Sequence, residues 1–120
     1  MIPAGSTITH SHPEDYPLSL SDLLTASALQ VAEIRAVGPN RGFLAKVPKS
    51  GWPSDMKIRN SYSRAMKKTD SEVVRSARAS THKLAESERD KLWDAAYTRN
   101  VRSELALIGV KLEEFDVNAQ

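Results

Sequence analysis

Cysteine is absent from this 120-residue chain, which excludes disulfides, thiolate catalysis and cysteine-rich zinc sites and leaves the redox compartment open. Aromatic residues amount to only 6%, so the basic side chains are not interleaved with the stacking platforms that single-strand nucleic-acid binders use. No apolar run approaches the roughly 18 residues of a membrane span. The start, Met1-Ile2-Pro3-Ala4-Gly5, has neither the basic residues nor the apolar stretch of a secretory signal, so the cytoplasm is the expected compartment. The turn-like Gly38-Pro39-Asn40-Arg41-Gly42 is no phosphate loop, because the Gly-Lys-Ser/Thr ending and the following helix are missing. What remains is an ordinary globular composition, 40% hydrophobic and 27% charged, enough for one domain with a modest core and too little for a multidomain enzyme.

A formal charge of +2 conceals three regimes. Residues 1–56 carry four basic and five acidic side chains, residues 57–83 eight basic and two acidic, and residues 84–120 five basic and eight acidic. The positive middle and the negative end either lie against each other and neutralise, or leave a basic face for an acidic partner or nucleic acid. Arg64, Lys67, Lys68, Arg75 and Arg78 are the candidate partner-binding residues.

Residues 5–12, with β-branched Thr7, Ile8 and Thr9, read as a short strand that ends in a loop at Pro13. Ser19 followed by Asp22 resembles a capping arrangement, and Leu20, Leu23, Leu24 and Ala28 recur at helical spacing, so a helix over about 20–30 follows. Glu33–Val37 and Phe43–Val47 flank the 38–42 turn as a β-hairpin. Pro48, Gly51 and Pro53 make a loop containing Trp52, which folds over the core or stacks on a partner. Ile58, Tyr62, Ala65 and Met66 form an inward helical stripe. Thr69-Asp-Ser-Glu72 has the form of a capping box, which predicts a bend and a restarted helix with Val73, Val74, Ala77 and Leu84 inward. A further helix over 87–108 places Leu92, Trp93, Ala96, Tyr97, Val101, Leu105 and Ile108 on one core-facing side, and Gly109 stops it.

The expected fold is therefore α+β. A small antiparallel sheet of about three strands, hairpin included, is packed by about four helices, and the C-terminal half is helical. The expected organisation is a single domain over 1–120: a β-α-β-β part over 1–53, a helical part over 54–110, and a tail over 111–120 whose Leu112, Phe115 and Val117 can dock.

One constellation has a chemical reading. In a strand, residues i and i+2 share a face, so His10 and His12 can offer two imidazoles to one ion, with Asp22 at the start of the following helix as a third ligand. Two histidines, a carboxylate and an open position suit catalytic zinc, which lowers the pKa of bound water. The plain alternatives are that one histidine hydrogen-bonds the Pro13 turn while the other is exposed, and that Asp22 is an acid favoured by the helix dipole. His82, among basic residues, reads as a surface residue, and Arg35 and Arg41 either clamp phosphate or are ordinary surface arginines.

The segment His10-Ser-His12-Pro13 with Ser19-Leu-Ser-Asp22 resembles the H-x-H-P…S-x-x-D signature of JAMM/MPN metalloproteases. That resemblance implies His10, His12 and Asp22 as zinc ligands and Ser19 as the catalytic helper. The pattern departs in that no glutamate precedes His10 to act as general base, and the interval from His12 to Ser19 is slightly short. A second resemblance spans the first half of the chain. The succession Thr9-His-Ser-His-Pro13, Ser19-Leu-Ser-Asp-Leu23, Glu33-Ile-Arg-Ala-Val37 and Pro48-Lys-Ser-Gly-Trp52 is similar to a C-terminal domain of phage Mu F-like head proteins and polymorphic toxins. It implies a phage or mobile-element origin and a toxin-like effector, here expected to be a shortened, free-standing derivative.

Two functions follow. The first expectation is a protein that binds and inhibits a host protein or nucleoprotein complex in the bacterial cytoplasm, such as a nucleic-acid-processing defence complex, with no cofactor. The alternative is a metal- or histidine-dependent hydrolase or nuclease of toxin type, with zinc as cofactor. Direct nucleic-acid binding is a weaker third expectation, and no membrane association is expected.

Overall fold

A computed structural model describes residues 5–12, 15–79 and 85–119. The expectations for Pro13, His82 and Leu84 lie outside the described residues. Strand β1 (Thr7–Ser11) leads through helix α1 (Leu20–Leu29) to the hairpin β2 (Glu33–Val37) and β3 (Arg41–Lys46). Two long helices follow, α2 (Asp55–Ala79) and α3 (Glu86–Leu107), then β4 (Leu112–Asp116) and a 3₁₀ turn over Val117–Ala119. The fold is α+β, as the element pattern predicts. Two details differ. The strands lie in the order β1-β2-β3-β4, one more than expected, and β1 pairs β2 in parallel, Ile8 opposite Ile34, so the sheet is mixed rather than antiparallel. A crossover through α1 is what allows the parallel pair.

The fourth strand comes from the stretch expected to be a tail. Leu112 pairs with Ala45 and Phe115 with Gly42 across an antiparallel ladder. Gly42 is required there, since a Cβ would overlap the Phe115 ring, and an aromatic laid over a cross-strand glycine pins the register. The hairpin turn is held from outside by Asp15, whose Oδ1 accepts the Asn40 and Arg41 backbone N–H groups at 2.9 Å each. Those two backbone bonds hold its carboxyl below the usual carboxylate value.

The helices cover one face of the sheet, because alternate strand residues are apolar. Ile34, Ala36, Phe43, Ala45 and Leu112 meet Leu23 and Ala26 of α1, Ile58, Tyr62 and Ala65 of α2, and Val101 and Leu105 of α3 in one core. Trp52 closes its edge, donating from Nε1 to the Val31 carbonyl at 2.8 Å, in line with a loop tryptophan folded over a small core. Helix α3 ends as expected at Gly109, with φ +86°. The Val110 N–H reaches the Leu105 carbonyl at 2.9 Å and the Gly109 N–H reaches Ala106 at 3.1 Å, the paired bonds of a Schellman termination.

The second helical half departs from expectation. No bend occurs at Thr69, and α2 runs unbroken for 25 residues, about 37 Å. Thr69 is fully buried; its hydroxyl donates back to the Ala65 carbonyl at 2.7 Å and accepts from Asn100 Nδ2 at 3.1 Å. Inside a helix that already satisfies its neighbours' N–H groups, the threonine caps nothing. Beyond Thr69 on α2 and before Ala96 on α3, no residue is fully buried. The two helices continue past the sheet as an arm packed on itself. The molecule accordingly measures 53 × 33 × 20 Å, with a radius of gyration of 15.6 Å against roughly 13.6 Å for a compact chain of this length. Val74 and Leu92, expected to face inward, are therefore exposed, and Met66, before Thr69, is exposed as well. No helix among the described residues is long and apolar enough to cross a membrane.

Candidate functional site

Strand alternation puts Ile8, His10 and His12 on the helix-facing side, with Thr7, Thr9 and Ser11 outward. Across from them, Ser19 caps α1. Its Oγ accepts the Asp22 N–H at 3.1 Å, and Asp22 Oδ2 accepts the Ser19 N–H at 2.9 Å, the reciprocal pair of a capping box. That pair aims the Asp22 carboxylate at β1. Oδ1 receives His10 Nδ1 at 2.5 Å, and His12 Nε2 lies 3.3 Å from Oδ2. A carboxylate only accepts, so the proton of the first bond sits on His10 Nδ1, and Nε2 is left as the outer ring nitrogen. Asp22 is buried, His12 mostly covered and His10 half-exposed. The structure thus brings together all four residues of the H-x-H…S-x-x-D pattern, and Asp22 serves both the helix dipole and the imidazoles.

Two ligands on a tetrahedral zinc, at bonds of roughly 2.0–2.1 Å, stand about 3.3 Å apart. The His12–Asp22 separation matches that spacing, whereas His10 and Asp22, at 2.5 Å, are hydrogen-bonded to each other. Among the described residues no group of three or more His, Asp or Glu is disposed to hold a metal ion. In this arrangement the three side chains do not fit zinc, and what they form is an Asp-anchored imidazole pair.

His12 and Ser19 open onto a cleft of about 410 Å³ whose other walls include Tyr16, Met66, Trp93 and Tyr97. Trp93 and Tyr97 stack at 4.7 Å between centroids and 17° between planes. Trp93 is not the core residue that helical spacing suggests, whereas Tyr97 packs partly buried against the core, and both wall this cleft. Tyr62 is core, as expected, and its hydroxyl donates to the Leu18 carbonyl at 2.6 Å. Burial, with the nearby Tyr97 and Asp22 charges, pushes that phenol well above its usual value.

The basic candidates divide. Lys68 Nζ lies 3.0 Å from Glu104 Oε1 and Arg64 Nε 3.3 Å from Oε2, so these two neutralise a carboxylate that is almost wholly buried. Burial pushes Glu104 upward, but the bonds and charges of Lys68 and Arg64 outweigh it and leave the carboxyl below its ordinary value. This is the neutralisation between the positive middle and the negative end. Lys67, Arg75 and Arg78 have no ion-pair partner among the described residues. They line two shallow grooves, Lys67 and Arg75 with Glu72 in one between α2 and α3, Arg75 and Arg78 with Asp70 and Val74 in the other on α2. Arg35 and Arg41 are engaged, Arg35 with Glu33 at 2.5 Å and Arg41 with Glu114 at 3.4 Å.

Glu104, Tyr16 and Met66 escape sequence reasoning as site residues. Glu104 carried a usable signal, an acid one residue before Leu105 on the stripe that α3 buries. Comparison with protein-family models, curated proteins and solved structures finds no match.

Proposed function

We propose that this chain is a small phage or mobile-element protein, derived from a toxin-like domain, that binds and inhibits a host macromolecule through the basic face of its helical arm. The carrying observation is the arm itself: a helix pair extended beyond the sheet, where Arg75 and Arg78, with Lys67 at the arm's base, face grooves without an ion-pair partner among the described residues. A fold whose only purpose was to shelter the His10–Asp22 pair has no need of that extension. The four-motif succession in the first half supports the phage or mobile-element origin. An acidic partner, such as a nucleic-acid-processing defence complex or the acidic surface of one of its subunits, suits the charge.

The test is affinity capture from a bacterial host with the wild type and the Lys67→Glu/Arg75→Glu/Arg78→Glu variant, after circular dichroism shows equal melting. A defined host complex retained by the wild type and at least tenfold depleted with the variant is expected. Equal retention removes the arm from the reading. Binding to naked RNA or DNA with a steep salt dependence would make the partner nucleic acid instead.

The His10–Asp22 bond favours a second reading, a histidine-dependent hydrolase or nuclease of toxin type. An aspartate on Nδ1 fixes the tautomer and leaves Nε2 at the half-exposed edge to take a proton from a substrate hydroxyl or water. Zinc in the same place would require the His10–Asp22 bond to open. Elemental analysis of the wild type and His12→Ala after equal zinc loading, together with RNA, DNA and peptide cleavage assays, separates these cases. No metal and no cleavage in either protein leaves the binding function alone.

A further inference from the structure

Helical spacing lines up one set of polar side chains where α2 and α3 run side by side. On α2, Lys67, Ser71 and Arg75 fall at i, i+4 and i+8, on a single face and about 6 Å apart along the axis. On α3, Asn100 and Ser103 stand three apart and line the same groove of about 500 Å³. Short Ser71 leaves a recess, which Lys67 flanks one turn before and Arg75 one turn after. Every described residue that lines the groove is polar or charged, so the apolar stripe of a docking helix finds nothing there to bury against.

Lys67, Lys68 and Arg75 bring positive charge to the groove and Glu72 brings the one acid. Glu72 is paired with Arg99 and Lys68 with Glu104 at 3.0 Å, so the local surplus rests on Lys67 and Arg75. The floor carries donors as well. Asn100, 6% exposed, gives one amide N–H to Thr69 Oγ1 at 3.1 Å, and the same nitrogen carries a second. The Ser71 and Ser103 hydroxyls, both at exposed positions, add one donor from each helix. Ammonium, guanidinium, hydroxyl and amide groups are the side-chain types that contact phosphate oxygens. A carboxylate presents two oxygens in one plane, whereas a phosphate presents three on different sides of the phosphorus, and donors from both walls match the second shape.

We propose that the groove between α2 and α3 is a binding site for a phosphate group, held between Lys67 and Arg75 over Ser71, with Asn100 and Ser103 on the opposite wall. The inference rests on the reading of the basic arm as a contact surface and names the group that this surface takes. A nucleotide and the backbone of a nucleic acid within a host complex both present that group.

The probe is inorganic phosphate, titrated into the full-length protein at an ionic strength held constant with sodium chloride and compared with sodium acetate. Binding is followed through backbone amide signals in ¹H–¹⁵N spectra. The Ser71 and Ser103 signals are expected to move saturably with phosphate, while that of Gly42, in the sheet, stays. Acetate is expected to bind at least fivefold more weakly. Lys67→Gln/Arg75→Gln should weaken phosphate binding at least tenfold, whereas Lys46→Gln/Arg59→Gln, which removes the same charge from exposed positions elsewhere, should change it less than twofold. Displacement of phosphate from the Ser71 signal by adenosine monophosphate supports the site with a nucleotide as the source, and displacement by a short DNA duplex supports it with a nucleic-acid backbone. Equal affinity for acetate, equal loss in the two double variants, or no saturable movement of Ser71 and Ser103 overturns the proposal. The titration contains no host protein, so the two readings fail separately. Phosphate binding without capture of a host complex removes the inhibitory reading and keeps the site, and capture without phosphate binding removes the site and keeps the inhibitory reading.

Discussion

Removing both cations from Glu104 should cost more than removing Glu104 itself. The carboxylate is 1% exposed and is reached by Lys68 at 3.0 Å and Arg64 at 3.3 Å. A hydrogen bond to a charged group contributes about 1.5–3 kcal/mol. The cations are 54% and 48% exposed, so solvent screening places each bond near the low end. Lys68→Ala alone should therefore cost about 1–1.5 kcal/mol, with Arg64 still in place. Adding Arg64→Ala strands a carboxylate inside the helix pair, and the total should reach about 3 kcal/mol, the lower end for a broken buried pair. Glu104→Met keeps the volume, frees two cations that already reach solvent, and should fall within about 1 kcal/mol of the wild type.

Urea unfolding at pH 7 with a shared slope measures all three variants. Acid supplies an independent check. Because the folded-state value lies below the ordinary 4.5, the unfolded chain binds the proton first as pH falls. The stabilisation is thus complete above about 4.5 and is lost as pH drops through the folded value. The gap between wild type and the double variant should narrow across that window. If the double variant stays within about 1 kcal/mol of wild type, or Glu104→Met proves the costlier change, the triad is not the electrostatic joint between α2 and α3.

Asp22→Ala removes half of the α1 capping box and the acceptor for His10, and should cost about 2–3 kcal/mol by the same assay from the cap and the charged bond together; a loss below about 0.5 kcal/mol would show that the carboxylate supports function without supporting the fold. Gly42→Ala should destabilise by roughly 1–3 kcal/mol, because its Cβ enters the space of the Phe115 ring, and Phe115→Leu in that background should recover part of it. If Gly42→Ala is neutral, β4 is not docked on β3 in this register.

What could be read from the sequence separates by the range of the forces involved. The hairpin turn, shorter than expected because β3 starts at Arg41, is also held by distant Asp15, whereas the capping box at Ser19 and the Gly109 termination are each decided within a few residues and stand as expected. The same holds for the candidate site. Period-two alternation in β1 and a cap at the start of α1 suffice to bring His10, His12, Ser19 and Asp22 together. Strand β4 is different. Leu112-Glu113-Glu114-Phe115-Asp116 becomes a strand only because Ala45 and Gly42, far away in sequence, provide its partners, and nothing local records that a glycine awaits Phe115.

Helix α2 shows how a correct local signal loses. Thr69-Asp-Ser-Glu72 has the residues of a capping box, but a box stabilises a helix start only where N–H groups stand orphaned. Here Asn100 of α3 donates to the Thr69 hydroxyl, and Glu72 pairs with Arg99. Both ends of the apparent box are taken by α3, so restarting the helix would satisfy no group that the continuous helix leaves unmet. The consequence is spatial: an unbroken α2 carries Arg75 and Arg78 out beyond the last fully buried residue, Thr69. The arm exists because the tertiary partners of residues 69–72 outcompete their local preference, and the aromatic cleft stands at its base because Trp93 follows α3 onto the arm while Tyr97, one turn on, packs at the edge of the core.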